Sequence, residues 1–331
     1  MPEIKALEKQ IFNIVSLNDF NESALEIFHF QYKNNSIYHQ FVNFLNIDVL
    51  EISHFSKIPF LPVQFFKDKK VISGEFVAQT IFTSSGTTGV ITSEHHVRDV
   101  KLYENSFLAG FSYFFGNIKD YVVLALLPSY LEREGSSLVY MANKLIINSK
   151  NNDSGFYLNN YEELHSLLVS LRKKKQKVIL LGVTYALLDL AEQFPIEFPE
   201  LILMETGGMK GKRKELIRDE LHKILCGSFG VSKIYSEYGM TELLSQSYSK
   251  GDGIFITPPW MKVLIRDVND PLYMLQQGKS GGINVIDLAN LYSCSFISTQ
   301  DLGKSLPNNS FEILGRFDNS DVRGCNLMVD S

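Results

Sequence analysis

The sequence contains few cysteines, one tryptophan and no long apolar run. Its three cysteines, Cys226, Cys294 and Cys325, lie far apart and show no CxxC spacing, which excludes a disulfide framework and a cysteine zinc site. The most apolar run, residues 178–188, is too short to cross a bilayer. The N-terminus lacks the basic and apolar regions of a signal peptide. Because free thiols suit a reducing compartment, we expect a cytoplasmic protein without a membrane span.

The chain also lacks an excess of positive charge. Its 331 residues include 32 Lys and Arg against 37 Asp and Glu, which gives a formal net charge of −5. Binding to duplex nucleic acid depends on neutralising phosphates, so this balance argues against a nucleic-acid partner. The content of 45% hydrophobic and 21% charged residues is typical of a globular protein with a buried core.

Short apolar segments alternate with amphipathic ones along most of the chain. Strands are predicted at 76–82, 121–127, 178–181 and 201–204, and a helix at 96–115. This alternation predicts an α/β fold with a largely parallel sheet flanked by helices. The segments shorten after residue 253, which indicates a smaller β-rich subdomain. We therefore divide the chain into a helical segment (1–75), an α/β core (76–253), the β-rich part (254–317) and a tail (318–331).

Polar, glycine-bearing segments follow several predicted strands. The first, Thr83-Ser-Ser-Gly-Thr-Thr-Gly89, is either a phosphate-binding loop or a polar turn. It is neither a Walker A loop nor a dinucleotide-binding fingerprint. Similar segments begin at Glu205, Ser236, Ser298 and Leu314. Ligands of open α/β sheets bind outside the carboxyl ends of the strands, so these segments predict one shared site.

Four of these motifs, in this order, resemble the core motifs of the adenylate-forming (acyl-activating) superfamily. They are Thr83–Gly89, Tyr238-Gly-Met-Thr-Glu242, Thr299-Gln-Asp301 and Gly315-Arg-Phe-Asp318. Further stretches, at 127–133, 136–137, 206–210, 258–263 and 321–326, resemble the LuxE-type acyl-protein synthetases. The resemblance covers the chain from about residue 76 onward. It implies the large N-terminal domain of that superfamily, with doubly wound mixed and parallel sheets.

The resemblance also implies a reaction. A fatty acid carboxylate would attack the α-phosphate of ATP, with Mg²⁺ as cofactor, to give an acyl-adenylate and pyrophosphate. An enzyme cysteine would then take the acyl group as a thioester and pass it to a LuxC-type reductase partner. The chemistry is reasonable, because AMP converts a carboxylate oxygen into a good leaving group.

Site residues are carried over by the same resemblance. Glu242 would hold Mg²⁺, Thr241 would approach the α-phosphate, and Asp301 would accept hydrogen bonds from the ribose. The remaining nucleotide- or phosphate-binding candidates are Thr83, Ser84, Ser85, Gly86, Thr87, Thr88, Gly89, Gly207, Gly208, Met209, Lys210, Glu237, Tyr238, Gly239, Met240 and Arg316. The candidate substrate contacts are His96, Tyr130 and Arg133.

Cys325 is the predicted acyl acceptor. The resemblance places the acylated cysteine in the tail, and Arg323 nearby would favour the thiolate. Cys226 and Cys294 are expected to be structural. We also expect that the superfamily's lid domain is absent, because the chain ends thirteen residues after Asp318 (331 − 318 = 13).

The sequence departs from the superfamily after the phosphate loop. Where most members carry Pro-Lys-Gly, this chain has Val90-Ile-Thr-Ser93. Two other functions therefore stay open. One is an acyl- or aryl-CoA or carrier-protein ligase that uses a lid from another chain. The other is a non-catalytic scaffold that binds an adenylate.

Overall fold

The structure is a computed structural model that describes residues 2–84, 92–128, 135–207 and 216–317. The N-terminal part contains helices α1 (Pro2–Ile11), α2 (Leu17–Asn34), α3 (Ser36–Phe44) and α4 (Phe65–Asp68), with a short strand β1 (Leu61–Pro62). Ser16 begins α2 with a capping box that Asp19 completes. The buried Gln31 side chain donates to the carbonyl oxygens of Asn290 and Leu291, at 3.1 and 2.9 Å. The N-terminal helices are therefore attached to the part of the chain around residue 290.

One large sheet dominates the rest of the described chain. Its strands are β4 (Tyr121–Leu126), β5 (Gly155–Tyr157), β6 (Lys177–Val183), β7 (Ile202–Thr206), β8 (Tyr235–Tyr238), β9 (Ser247–Ser249), β10 (Ile254–Ile256), β11 (Met261–Arg266), β12 (Ser280–Asp287), β13 (Phe296–Leu306) and β14 (Ser310–Arg316). They lie in the order β11-β12-β13-β14-β10-β9-β8-β7-β6-β4-β5, with β1 beside β13. Strands β5, β4, β6, β7 and β8 are parallel, whereas β8 to β14 pair antiparallel.

Helices cover both faces of the parallel part. They are α5 (Val100–Phe115), α6 (Ser137–Ser149), α7 (Tyr161–Lys173), α8 (Thr184–Gln193) and α9 (Arg218–Phe229). Neighbouring residues of β4 point to opposite sides: Val123 joins one apolar core, and Val122 and Leu124 join the other. Such a two-sided apolar strand is expected in a parallel sheet that is buried on both faces. A separate antiparallel pair consists of β2 (Thr80–Thr83) and β3 (Glu94–Val97).

The predicted fold class is confirmed, but two predicted elements were wrong in extent. The helix predicted over 96–115 begins only at Val100, because Asp99 caps it by accepting the backbone N–H of Lys101 at 2.9 Å. His96 instead pairs with Ile81 in the small sheet. The strand predicted over 76–82 is β2, which begins at Thr80. The four chain divisions stay predictions. None of the helices in the described ranges has the length and apolar character that spanning a membrane requires.

A buried carboxylate, Asp287, fixes the connection between β8 and β9. It accepts the backbone N–H groups of Leu244 (2.7 Å), Ser245 (2.9 Å) and Ala289 (3.2 Å), and the Ser245 hydroxyl at 2.5 Å. Burial raises the pKa of Asp287 to about 6, and these four hydrogen bonds oppose that rise. One side chain therefore holds the β8–β9 connection against the segment that follows β12.

Replacing Asp287 with alanine should lower the free energy of unfolding by about 3 kcal/mol, because three buried backbone donors lose their acceptor. Urea unfolding at neutral pH measures this loss. Asp267→Ala is the matched control, since Asp267 accepts the N–H groups of Asn269 and Asp270 in an exposed turn. We expect its loss to be about 1 kcal/mol or less. Equal losses in the two variants would contradict the assigned role of Asp287.

Candidate active site

The carboxyl ends of β7 and β8 lie side by side. These strands are parallel neighbours in which Thr206 pairs with Glu237, so residues 207 and 239 leave the sheet at the same edge. Gly207 has φ +67°, a conformation that favours glycine. Its carbonyl oxygen accepts the hydroxyl of Thr184, at the start of α8, at 3.0 Å. Gly207, from the predicted motif after β7, and Gly239, from the predicted motif after β8, therefore leave the sheet at the same edge.

Three predicted nucleotide-binding side chains form one hydrogen-bonded chain across the sheet. The Tyr238 hydroxyl donates to Asp301 Oδ2 at 2.8 Å, and Arg316 Nε lies 3.1 Å from Asp301 Oδ1. Asp301 and Arg316 are paired residues on β13 and β14. Tyr238 and Asp301 are buried, whereas the Arg316 side chain is 68% exposed. Burial raises the pKa of Tyr238, and the nearby Asp301 carboxylate adds to the rise. The structure thus joins residues 63 positions apart in sequence into one polar cluster.

The backbone of the Thr241–Glu242 segment is held by two side chains from elsewhere. His95 Nδ1 lies 2.8 Å from the carbonyl oxygen of Thr241, and its Nε2 lies 2.9 Å from Asn290 Oδ1. The Asn290 amide in turn donates to the carbonyl oxygen of Glu242 at 2.7 Å. Burial lowers the pKa of His95 to about 4, so the ring is neutral at neutral pH. His95 is a buried part of β3.

Glu242 is the carboxylate that the resemblance assigns to Mg²⁺. It is 5% exposed, and burial raises its pKa, opposed by a hydrogen bond from the Ser93 side chain. Within the described ranges, no group of three or more His, Cys, Asp or Glu residues could hold a metal by itself. A single buried carboxylate fits Mg²⁺, which is usually bound by one or two carboxylates together with substrate phosphates.

Glu237 lies on the opposite side of β8 from Tyr238. Its Oε2 accepts the hydroxyl of Thr206, across the β7–β8 pair, at 2.5 Å. Burial raises its pKa to about 7, and the Thr206 hydrogen bond opposes the rise. A carboxylate that titrates near neutrality beside a cluster of polar groups is typical of a functional site.

Of the other predicted site residues, five are described by the structure and the rest lie outside the described residues. Thr83 ends β2, and its N–H donates to the carbonyl oxygen of Gly135 at 2.8 Å, just before α6. Ser84 Oγ accepts the N–H of Ser93 at 2.9 Å. Gly239 and Met240 begin the segment after β8. On β3, His96 Nε2 lies 3.2 Å from Glu94 Oε2. The predicted residues Ser85, Gly86, Thr87, Thr88, Gly89, Tyr130, Arg133, Gly208, Met209, Lys210 and Cys325 lie outside the described residues.

The two described cysteines lack the properties of a nucleophile. Cys294 is fully buried, and burial raises its thiol pKa to about 12. Cys226 is half-buried on α9, and burial raises its pKa as well. A reactive cysteine needs the thiolate, so both thiols fit structural positions.

Comparison with solved structures shows several ligases with the same architecture. ATP-bound MatB from Rhodopseudomonas palustris aligns with TM-score 0.54 and 19% identity, over 71% of this chain and 47% of that one. A 2-hydroxyisobutyryl-CoA ligase, in complex with 2-HIB-AMP and CoA, aligns with TM-score 0.63 and 11% identity, over 92% and 72%. A long-chain-fatty-acid-CoA ligase (FadD1) from Archaeoglobus fulgidus gives TM-score 0.50 and 15% identity, over 71% and 51%.

The chain has the fold of the large N-terminal domain of adenylate-forming ligases. It spans about half the length of the MatB chain that it matches. No protein-family model matches the sequence, and neither does any curated protein. On this fold, the Tyr238–Asp301–Arg316 cluster and the Glu242 segment both lie next to the end of β8.

The titration of Glu237 gives a prediction of how stability varies with pH. The Glu237 pKa is raised from 4.5 to about 7, so the folded state holds its proton more tightly than the unfolded state. Wild type should therefore lose stability relative to Glu237→Gln as the pH rises from about 4.5 to about 7, with no further relative change above that. Urea unfolding of both proteins across this range measures the difference. A relative gain for wild type with rising pH would contradict the assignment.

Proposed function

We propose that this chain activates a fatty acid with ATP and then takes the acyl group onto Cys325 as a thioester. The observation that carries the proposal is the Tyr238–Asp301–Arg316 cluster, on the fold of adenylate-forming ligases and beside the Glu242 segment. ATP-bound MatB and the fatty-acid ligase from Archaeoglobus fulgidus support ATP and a carboxylic acid as the substrates.

In the first step, a carboxylate oxygen of the acid attacks the α-phosphorus of ATP, and the bond to the β-phosphate oxygen breaks. The products are the acyl-adenylate and pyrophosphate. The buried Asp301 carboxylate would orient the ribose, and the exposed Arg316 would contact ribose or phosphate. Thr241 would donate its hydroxyl to the α-phosphate. Its carbonyl oxygen is fixed by His95 at 2.8 Å, so the segment that carries this hydroxyl is already held in place.

Charge is the main obstacle to this step, since an anionic acid must approach a polyphosphate. Mg²⁺ bound at Glu242 would supply positive charge against the phosphates. The Ser93 hydrogen bond favours the ionised form of Glu242 that such an ion needs. Arg316 would add a second positive charge at the same cluster.

In the second step, the Cys325 thiolate attacks the acyl carbonyl carbon, and AMP leaves with the electron pair of the broken C–O bond. The thiol proton goes to solvent. The thioester would then pass the acyl group to a LuxC-type reductase partner. An acyl-CoA or carrier-protein ligase that acts with a separate lid domain is the second candidate, because a structural neighbour is a ligase in complex with CoA.

The adenylation step is tested by ATP–pyrophosphate exchange with a series of fatty acids. Wild type should exchange label only with Mg²⁺ and a fatty acid present. Glu242→Gln should reduce the exchange by about 10- to 100-fold, because the carboxylate that binds the ion is lost. Glu220→Gln, which changes an exposed glutamate on α9, is the control and should leave the rate unchanged. Nucleotide binding without exchange by wild type would instead support the adenylate-binding scaffold.

The transfer step is tested by the intact mass of the protein after incubation with ATP, Mg²⁺ and fatty acid. Wild type should gain one acyl group that hydroxylamine removes, and Cys325→Ser should gain none. Cys226→Ser is the control that should still be acylated. Retention of the adduct in Cys325→Ser would disprove the assigned nucleophile. Release of acyl-CoA without any adduct would favour the CoA ligase.

A further inference from the structure

Four residues on or next to the paired ends of β8 and β9 share one side of the sheet. Glu237 pairs with Tyr248, and Tyr238 pairs with Ser247, so the next positions along the two strands are Gly239 and Gln246. Side chains alternate between faces along a strand. Glu237, Gly239, Gln246 and Tyr248 therefore belong to the same face. A Cβ atom placed on Gly239 would lie 2.5 Å from Glu237 Oε1 and 3.4 Å from Gln246 Cγ.

One atom of the buried Gln246 side chain has no hydrogen-bond partner among the residues that the structure describes. The residue is 6% exposed, and within the described part of the chain its buried Oε1 has no donor. Nearly all buried polar atoms in folded proteins are paired, and an unpaired acceptor is costly. This carbonyl oxygen is therefore a candidate for binding a donor that comes from a ligand.

Glu237 carries a second acceptor on the same face of the sheet. Its Oε2 is occupied by the Thr206 hydroxyl at 2.5 Å. Its Oε1 faces the position above Gly239 that a side chain would otherwise fill. Glycine at 239 therefore lets the Glu237 carboxylate lie over its Cα, where a side chain would clash, and the Gln246 side chain borders the same position.

The surroundings of these acceptors are aromatic. Tyr103 of α5 and Tyr248 of β9 are both buried, and the Glu237 carboxylate raises the pKa of both phenols, although burial is the larger cause. The Tyr103 ring packs 4.9 Å from Phe107, and the Tyr248 ring 5.1 Å from Phe114. Aromatic side chains of this kind can pack against an apolar carbon chain. A hydrogen-bond donor on that chain could then bind the Glu237 and Gln246 oxygens.

We propose that the acid activated by this protein carries a hydroxyl or amino group on its carbon chain, which Glu237 and Gln246 bind beside Gly239. The proposal rests on the proposed adenylation function and specifies its substrate class. Both kinds of group supply the N–H or O–H donor that two acceptor oxygens require. An unsubstituted acid would leave the Gln246 acceptor unpaired in the complex.

The test compares octanoate with its hydroxy and amino derivatives in ATP–pyrophosphate exchange. Wild type should show at least about a 10-fold higher kcat/KM with the best substituted acid, because a site built to bind a donor rejects the analogue that lacks it. Gln246→Met keeps the side-chain shape and removes the amide. It should reduce this preference to about 2-fold or less. Glu237→Gln should weaken the preference for the amino derivatives more than for the hydroxy derivatives, since an ammonium group loses an ion pair with the carboxylate in addition to the charge-assisted hydrogen bond.

Two controls separate a binding role from a structural one. Gln176→Met, an exposed glutamine before β6, should keep the wild-type preference. Gln246→Met should also melt at a higher temperature than wild type in the absence of ligand, because a buried unpaired acceptor is removed. Equal rates of wild type with octanoate and every derivative would overturn the proposal, as would an unchanged preference in Gln246→Met. Absence of exchange with all acids would instead count against the proposed function, and the melting comparison would still report on Gln246.

Discussion

The segment from Gly239 to Gln246 has no regular secondary structure, and the candidate site depends on its being held in one conformation. Buried side chains from two other parts of the chain, β3 and the stretch 287–290, hold it in place. His95 and Asn290 hold the carbonyl oxygens of Thr241 and Glu242, and Asp287 accepts the N–H groups of Leu244 and Ser245. Because these groups are buried, each lost contact would leave an unpaired polar atom. The segment is therefore fixed by the same interactions that join the small sheet, the β8–β9 connection and the chain around residue 290.

The alternation of side chains along β7 and β8 divides their carboxyl ends into two environments. Thr206 and Glu237 face the side that α5 covers, where the walls are aromatic and a carboxylate titrates near neutrality. On the other side, Glu205 accepts the Ser236 hydroxyl at 2.9 Å and lies 3.0 Å from His222 of α9. At the end of β8, the Tyr238 hydroxyl donates to Asp301, which also pairs with Arg316. In our account the α5 side receives the acyl chain and the Asp301 side receives the nucleotide, so the carboxylate and the α-phosphate would meet at the end of β8.

Much of this could be predicted from sequence, because the relevant signals are local. Short apolar strands alternating with helices predicted the sheet, and ordered motifs predicted that residues 238, 242, 301 and 316 belong to one site. The start of α5 was placed too early, at residue 96, because the polar residues before Val100 do not show by themselves which one caps the helix. In the structure the cap is Asp99. Asn290, Thr206 and Gln246 were missed as parts of the site. His95 and Asn290 are 195 residues apart in sequence, and nothing in the local pattern indicates that they meet. The unpaired state of Gln246 can be recognised only when its burial is known.

The central claim is that this chain binds an acyl-adenylate at the end of β8, and a stable analogue tests it most directly. Isothermal titration calorimetry with an acyl-sulfamoyl adenosine, compared with AMP and with the free acid, measures the affinity for the whole intermediate. Enzymes bind such reactive-species analogues at least about 100-fold more tightly than substrates. The account predicts a gain of that size over AMP, and its loss in Asp301→Ala. Equal affinity for the analogue and AMP, or binding unaffected by Asp301→Ala, would contradict it.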